Sequence, residues 1–171
     1  PFVGSARTSH NIGTTAAKIR HALGFDLEER RRMPTWADAL RRFIEQADGL
    51  GILVMCSGVV LNNNKRKLDP EEFRGFALVD PLASVVFING ADSKSAQMFT
   101  LAHELAHVWL GQSGVTDSLT LGEHTSDVER WCDAVAAELL VPMADFRLHF
   151  DRNQDALSQL QSLVRRYKVS T

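Results

Sequence analysis

Cysteine is almost missing from this chain. Cys56 and Cys132 are the only two in 171 residues, too few for a disulfide framework, so packing must hold the fold, with a metal ion as the one available staple. Long apolar runs are missing too: no stretch approaches the roughly 18 consecutive residues of a membrane span. The first twenty residues carry Arg7, Lys18 and Arg20 but no apolar h-region, which excludes the pattern of a secretory signal. Nor does charge of one sign dominate. A formal net charge of -2 argues against a chain built to coat nucleic acid or an anionic membrane, while leaving room for a local basic patch. A cytoplasmic protein with no membrane partner is the default expectation. What is present, 44% hydrophobic and 23% charged residues, suits one soluble globular domain with a real core.

Along the chain, residues 1–13 are polar and contain Gly4 and Gly13, the pattern of an arm or linker. A helix is expected over about 15–23, capped by Thr14 or Thr15 and stopped by Gly24. "DLEERRRM" reads as a short charged helix ended by Pro34, and its "EERRR" as a solvated face. Thr35 opens a stronger helix in which Trp36, Leu40, Phe43, Ile44 and Ala47 recur at helical spacing up to Gly49. "GILVMCSGVVL" reads as a buried strand turning at Gly58, and "NNNKRKLDPEE" as a polar loop or hairpin tip. "FRGFALVD" and "ASVVFING" are two further strands around the turn "DPLA". Helices follow over about 93–110, 126–140, 143–150 and 154–167. The expected class is α+β, with a small, mostly antiparallel sheet packed with several helices. Three regions are expected: an N-terminal arm and helix over 1–34, a core over 35–150, and a C-terminal helix over 151–171. Both ends read as cut, since the chain starts at Pro1 and stops on "RRYKVST".

The stretch "SAQMFTLAHELAHVWLG" holds His103, Glu104 and His107 in the spacing His-Glu-x-x-His. On a helix, positions i and i+4 differ by about 40° in azimuth and about 6 Å in rise, so two imidazoles reach one ion from the same face. Glu104 lies about 100° from His103, beside such an ion and not on it, which suits a base acting on water. A bare motif of this kind arises by chance in about one per cent of chains of this composition. Its flanks are nearly all apolar, so the helix is expected to be buried almost all round. Imidazoles and a carboxylate inside such a helix need partners or cost several kcal/mol, and a metal supplies them. Core histidines held by ordinary hydrogen bonds are the plainer alternative.

A catalytic zinc takes three protein ligands and keeps one position open. "SDVERWCDAVAAELLVP" offers Glu129 as the third ligand, with Asp133 one turn later to accept the free ring N–H of a ligating histidine. His124, Glu123 and Asp127 are rivals for the third place, and a Cys132 thiolate would also ligate, although a buried inert thiol is the commoner state. The longer metzincin pattern, His-Glu-x-x-His-x-x-Gly-x-x-His, is closed off, because Leu110 and Ser113 stand where it needs the Gly and the third His. His124, His149 and Tyr167 are candidates for stabilising an oxyanion. Trp109 and Trp131 read as core.

In order and spacing, "EFRGFALVD", "FTLAHELAHVWLG" and "VERWCDAVAAELLVP" resemble the ImmA/IrrE metallopeptidases, over about 72–142 and more weakly over 35–57. The family's last motif usually carries Asn where this chain has Asp133. The resemblance implies a gluzincin-like core, metal ligands His103, His107 and Glu129, Glu104 as the base, and Zn²⁺ as the metal, with Mn²⁺ as the substitute. It further implies an endopeptidase acting on a helix-turn-helix repressor in a stress or mobile-element response. The alternative is a metal-binding regulator that acts by binding alone. Helix-turn-helix domains often flank such peptidases, "LQSLVRRYKVST" is similar to the start of one, and DNA contact would come through such flanking domains. Finally, an exposed edge on "SVVFIN" would let an extended peptide pair there, in which case Pro at Val86 or Ile88 would stop cleavage while metal stayed bound.

Overall fold

Polar side chains set the starts of most helices. Asn11 caps α1 (Ile12–Leu23), Asp26 α2 (Leu27–Arg32), Thr35 α3 (Trp36–Gly49) and Ser93 α4 (Lys94–Leu110). Ser126 caps α5 (Asp127–Leu140) and Asp155 caps α7 (Ala156–Tyr167), whereas α6 (Met143–His149) begins after Pro142 with no side-chain cap. Each cap accepts an N–H that the helix itself cannot satisfy. The computed structural model describes residues 2–61, 63–116 and 126–170, and the elements below belong to those residues.

A four-stranded sheet runs in the order β1 (Leu53–Ser57), β5 (Val85–Asn89), β4 (Gly75–Leu78), β6 (Gly114–Thr116), and a separate hairpin joins β2 (Val59–Val60) to β3 (Asn63–Lys67). β4 is antiparallel to both β5 and β6, as expected, but β1 runs parallel to β5, from Leu53 opposite Val85 to Ser57 opposite Asn89. The architecture is therefore α+β with a mixed sheet.

Two expectations about strands are overturned. β1 is an edge strand and not a buried one, with Leu53 57% and Met55 50% exposed. β5 is central, flanked by β1 and β4, and Val86 and Ile88 are fully buried, so its backbone has no free edge for a peptide. Among the described residues the edge strands are β1 and β6.

α4 lies at the middle of the packing. Leu101, Ala102, Leu105, Ala106 and Val108 are fully buried, as a helix apolar all round requires. The sheet strands β4 and β5 touch it, as do α3 and α5, while α1 packs on α5. α1 brings Ala16, Ile19 and Leu23 into the same core as Leu40, Phe43 and Ala47 of α3. The approach of α4 to the sheet is close because Gly75 has no side chain. A Cβ there would lie 2.5 Å from Thr100 Cγ2 and 2.7 Å from the Phe87 carbonyl oxygen.

The segment expected to be an arm is tied to the end of α4. Gly4 N–H donates to the Val108 carbonyl (3.2 Å) and Ala6 N–H to that of Trp109 (2.8 Å), and the Phe2 ring stacks on Trp109 at 4.7 Å. Gly111 ends the helix in the left-handed conformation, φ 73°, and a Cβ on it would meet Gly4 Cα at 2.8 Å.

Because one of the atoms facing Gly75 is backbone, Gly75→Ala forces α4 and the sheet apart. The expected cost is about 1–3 kcal/mol, read as a lower urea midpoint. An unchanged midpoint would show that the helix can lift from the sheet freely.

Candidate metal centre

α4 presents His103 and His107 on one face, four residues apart, both buried. Their Nε2 atoms are 3.1 Å apart. The Ser126 hydroxyl accepts the Glu129 N–H at 3.2 Å, which starts α5 so that Glu129 stands in its first turn. The Glu129 carboxylate spans both rings, with Oε2 3.0 Å from His103 Nε2 and Oε1 3.4 Å from His107 Nε2. One turn on, Asp133 Oδ1 is 2.9 Å from His103 Nδ1. The structure thus brings together all four of His103, His107, Glu129 and Asp133.

Donor spacing tests whether an ion fits. Four tetrahedral ligands at about 2.0–2.2 Å from zinc lie about 3.3–3.6 Å from one another. The three separations at the Nε2 atoms, 3.0, 3.1 and 3.4 Å, fall at or slightly inside that spacing, and the donor set of two imidazoles and a carboxylate is one that zinc takes. The residues fit the ion.

Electrostatics agrees. Burial opposes charge on His103, yet the hydrogen bonds to Asp133 and Glu129 outweigh it and raise the ring to about 9. His107 is lowered by burial and by its neighbour His103. The Glu129 carboxyl is held below its ordinary value, chiefly by the bond with His103. The arrangement favours positive charge between the rings and the carboxylates.

Glu104 is fully buried. Its Oε1 lies against β4, 3.4 Å from where a Gly75 Cβ would sit. On the other side β6 passes so near His107 that a Cβ on Gly114 would be 2.7–3.0 Å from three ring atoms. The two glycines are site-shaping positions absent from the sequence-derived candidates. Gly75 stands inside a strand pattern, where a glycine signals close backbone approach; Gly114 stands among polar residues and carries no such signal.

A second candidate for the third donor is close by. His103, His107 and Cys132 form a buried cluster whose ligand atoms all lie within 4.8 Å of one another. The Cys132 thiol is pushed strongly upward by burial and by Glu129, Glu104 and Asp133, which favours the protonated, weakly ligating form. Glu129 lies within 3.0 and 3.4 Å of the two Nε2 atoms, and its lowered carboxyl favours the ionised, ligating form. Of the other rivals, His124 and Glu123 lie outside the described residues, and Asp127 pairs with Arg130 on the exposed side of α5. His149 and Tyr167 both engage Asp145 of α6 and not the histidine pair.

An α+β domain whose central helix carries a buried histidine pair compatible with a metal ion, next to an acidic side chain, is compatible with a peptidase-like domain. Residues 47–171 match the peptidase family described as the IrrE N-terminal-like domain, and the chain belongs to that family. No individual curated protein matches the chain. The matched region begins in α3 and includes α4, α5 and every strand. No helix among the described residues is long and apolar enough to cross a membrane.

In protein stripped of metal by a chelator, the raised His103 stabilises the fold fully below its ordinary value of 6.5 and loses that effect as pH rises through about 9. The thermal midpoint of chelated protein should therefore fall across that window, and Asp133→Asn should flatten the fall. Zinc affinity should rise over the same range, since ligation requires the deprotonated ring. A pH-independent midpoint in the chelated protein would remove the assigned coupling.

Proposed function

We propose that the chain is a zinc-dependent endopeptidase in which His103, His107 and Glu129 hold the ion and Glu104 is the catalytic base. The observation that carries this reading is the Glu129 carboxylate within 3.0 and 3.4 Å of the two Nε2 atoms. When bound, Zn²⁺, or Mn²⁺ in its place, supplies a Lewis acid that brings the pKa of water to about 7. Glu104 accepts the proton of the attacking water and afterwards delivers it to the leaving amine nitrogen. Burial keeps bulk water from competing for that proton. Asp133 accepts the Nδ1–H of His103 and so fixes the tautomer whose Nε2 lone pair faces Glu129 and His107. Cys132, buried close to both rings, stays a thiol because burial and the neighbouring carboxylates raise it.

β6, beside His107, is an edge strand of the sheet among the described residues, and an extended peptide adding to such an edge would lie next to the site. That placement supports a protein substrate. That this substrate is a helix-turn-helix repressor in a stress or mobile-element response rests on the family resemblance, as does DNA contact through flanking domains.

Glu104→Gln should keep zinc and the fold while turnover of a protein substrate falls by about 10²–10⁴-fold. If the biological effect outlives that change, the chain acts by binding, as a regulator. Isothermal titration with zinc separates the third ligands: Glu129→Gln should lose most of the affinity and Cys132→Ala should keep it. The reverse order would move the third ligand to Cys132.

A further inference from the structure

A second concentration of charge lies where α2, the end of α6 and α7 meet. A cleft of about 370 Å³ there is lined by Arg31, His149, Ser162, Arg165, Arg166 and Lys168. Two more features make this place unlike an ordinary solvated basic face. "EERRR" is not solvated throughout: Arg30, in its middle, is only 4% exposed. Its Nη2 donates to Met98 Sδ at 3.3 Å and its guanidinium sits 5.1 Å from the centre of the Phe25 ring, but Nε and Nη1 find no partner among the described residues. Lys168 is 6% exposed, with its ammonium 5.3 Å from the centre of the Trp36 ring.

No carboxylate among the described residues pairs with Arg30, Lys168 or Arg165. Those at hand are already engaged. Glu28 is shared by Arg31 (3.4 Å) and Arg166 (3.1 Å). Asp145 takes Arg166 (3.2 Å) and the Tyr167 hydroxyl (2.6 Å). Burial pulls Arg30 down to about 9, and burial together with Arg30 lowers Lys168.

Buried cations are costly without an anion, and two that face each other add repulsion. The aromatic rings offset part of this. A cavity of about 10 Å³ beside Arg30 is lined also by Asp26 and Glu29, but Asp26 caps α2 and Glu29 pairs with Arg42 at 2.8 Å; the cavity has room for about one water, which can accept an N–H without neutralising the charge. Lys168 also holds a left-handed backbone, φ 53°, at the C-cap of α7. Glycine would end the helix there without strain; lysine adds an ammonium.

We propose that this cleft binds the phosphate group of a small phosphorylated molecule, with Lys168, Arg165 and Ser162 as its contacts and Arg30 adding positive potential behind them. A phosphate monoester carries about −1.5 to −2 charge at neutral pH, which matches two uncompensated cations where a single carboxylate would not. Guanidinium and hydroxyl donors suit its oxygens. The cleft volume is within the range of small-ligand pockets, about 300–1,000 Å³. The overall charge of −2 does not favour a nucleic-acid track.

The test is thermal melting of the zinc-loaded chain at ionic strength held constant with sodium chloride. Inorganic phosphate, a nucleoside monophosphate and a short single-stranded oligonucleotide are titrated separately. Phosphate and the monophosphate should each raise the midpoint saturably, by about 3 °C or more at tenfold excess over Kd. Lys168→Gln and Arg165→Gln should abolish the rise, and Arg41→Gln, at an exposed arginine outside the cleft, should keep it. Arg165 is exposed, so its variant tests the site without disturbing the core. Three results would each overturn the proposal: no rise beyond the chloride control, a rise that Arg165→Gln leaves intact, or a response to the oligonucleotide alone.

Discussion

Everything in this domain turns on placing ionisable side chains inside a stretch of helix, residues 100–110 of α4, that is buried on every side. α4 is enclosed by the sheet, α3 and α5, so His103, Glu104 and His107 can be satisfied only by groups that neighbouring elements bring to them. α5 does this with Glu129 and Asp133. The sheet contributes by yielding space: at Gly75 and Gly114 the backbone itself comes up to Thr100 and His107. Close packing and a functional cluster are here one requirement, because the carboxylates reach the rings only if α4 and α5 lie in contact.

The charge distribution in the cluster is that of a cation site. His103 is held between two carboxylates, one at each ring nitrogen, and such a ring takes up either a proton or, with the proton displaced from Nε2, a metal. His107 has only the Glu129 side of this arrangement and favours the neutral ring. The two imidazoles therefore differ in character although they share a helix face. Asp133 on the His103 side, and burial with repulsion from His103 on the His107 side, together make that difference.

Much of this was legible in the residues. Ser93 and Gly111 mark the ends of α4, Ser126 starts α5, and the i, i+4 histidines with a carboxylate one helix later define the cluster before any coordinates. What was hidden depended on tertiary neighbours. An apolar run such as "GILVMCSGVVL" has the same letters whether it ends at the edge or at the centre of a sheet, so β1 was expected to be buried. The parallel pairing of β1 with β5 leaves no local mark, since strand direction is decided by the path of the intervening chain. "EERRR" was expected to be solvated. Three consecutive arginines on a helix point about 100° apart, so a helix packed against the body of the domain turns one of them inward, and Arg30 is that one.

The crossing of Gly4 over Gly111 has a mechanical reading. Residues 2–6 act as a clasp on the final turn of α4, closing two of its carbonyls and covering Trp109. That turn also carries His107. Tension applied through residues 2–6 would therefore act first on the helix end that aims one of the two imidazoles, which gives this segment a short lever on the centre.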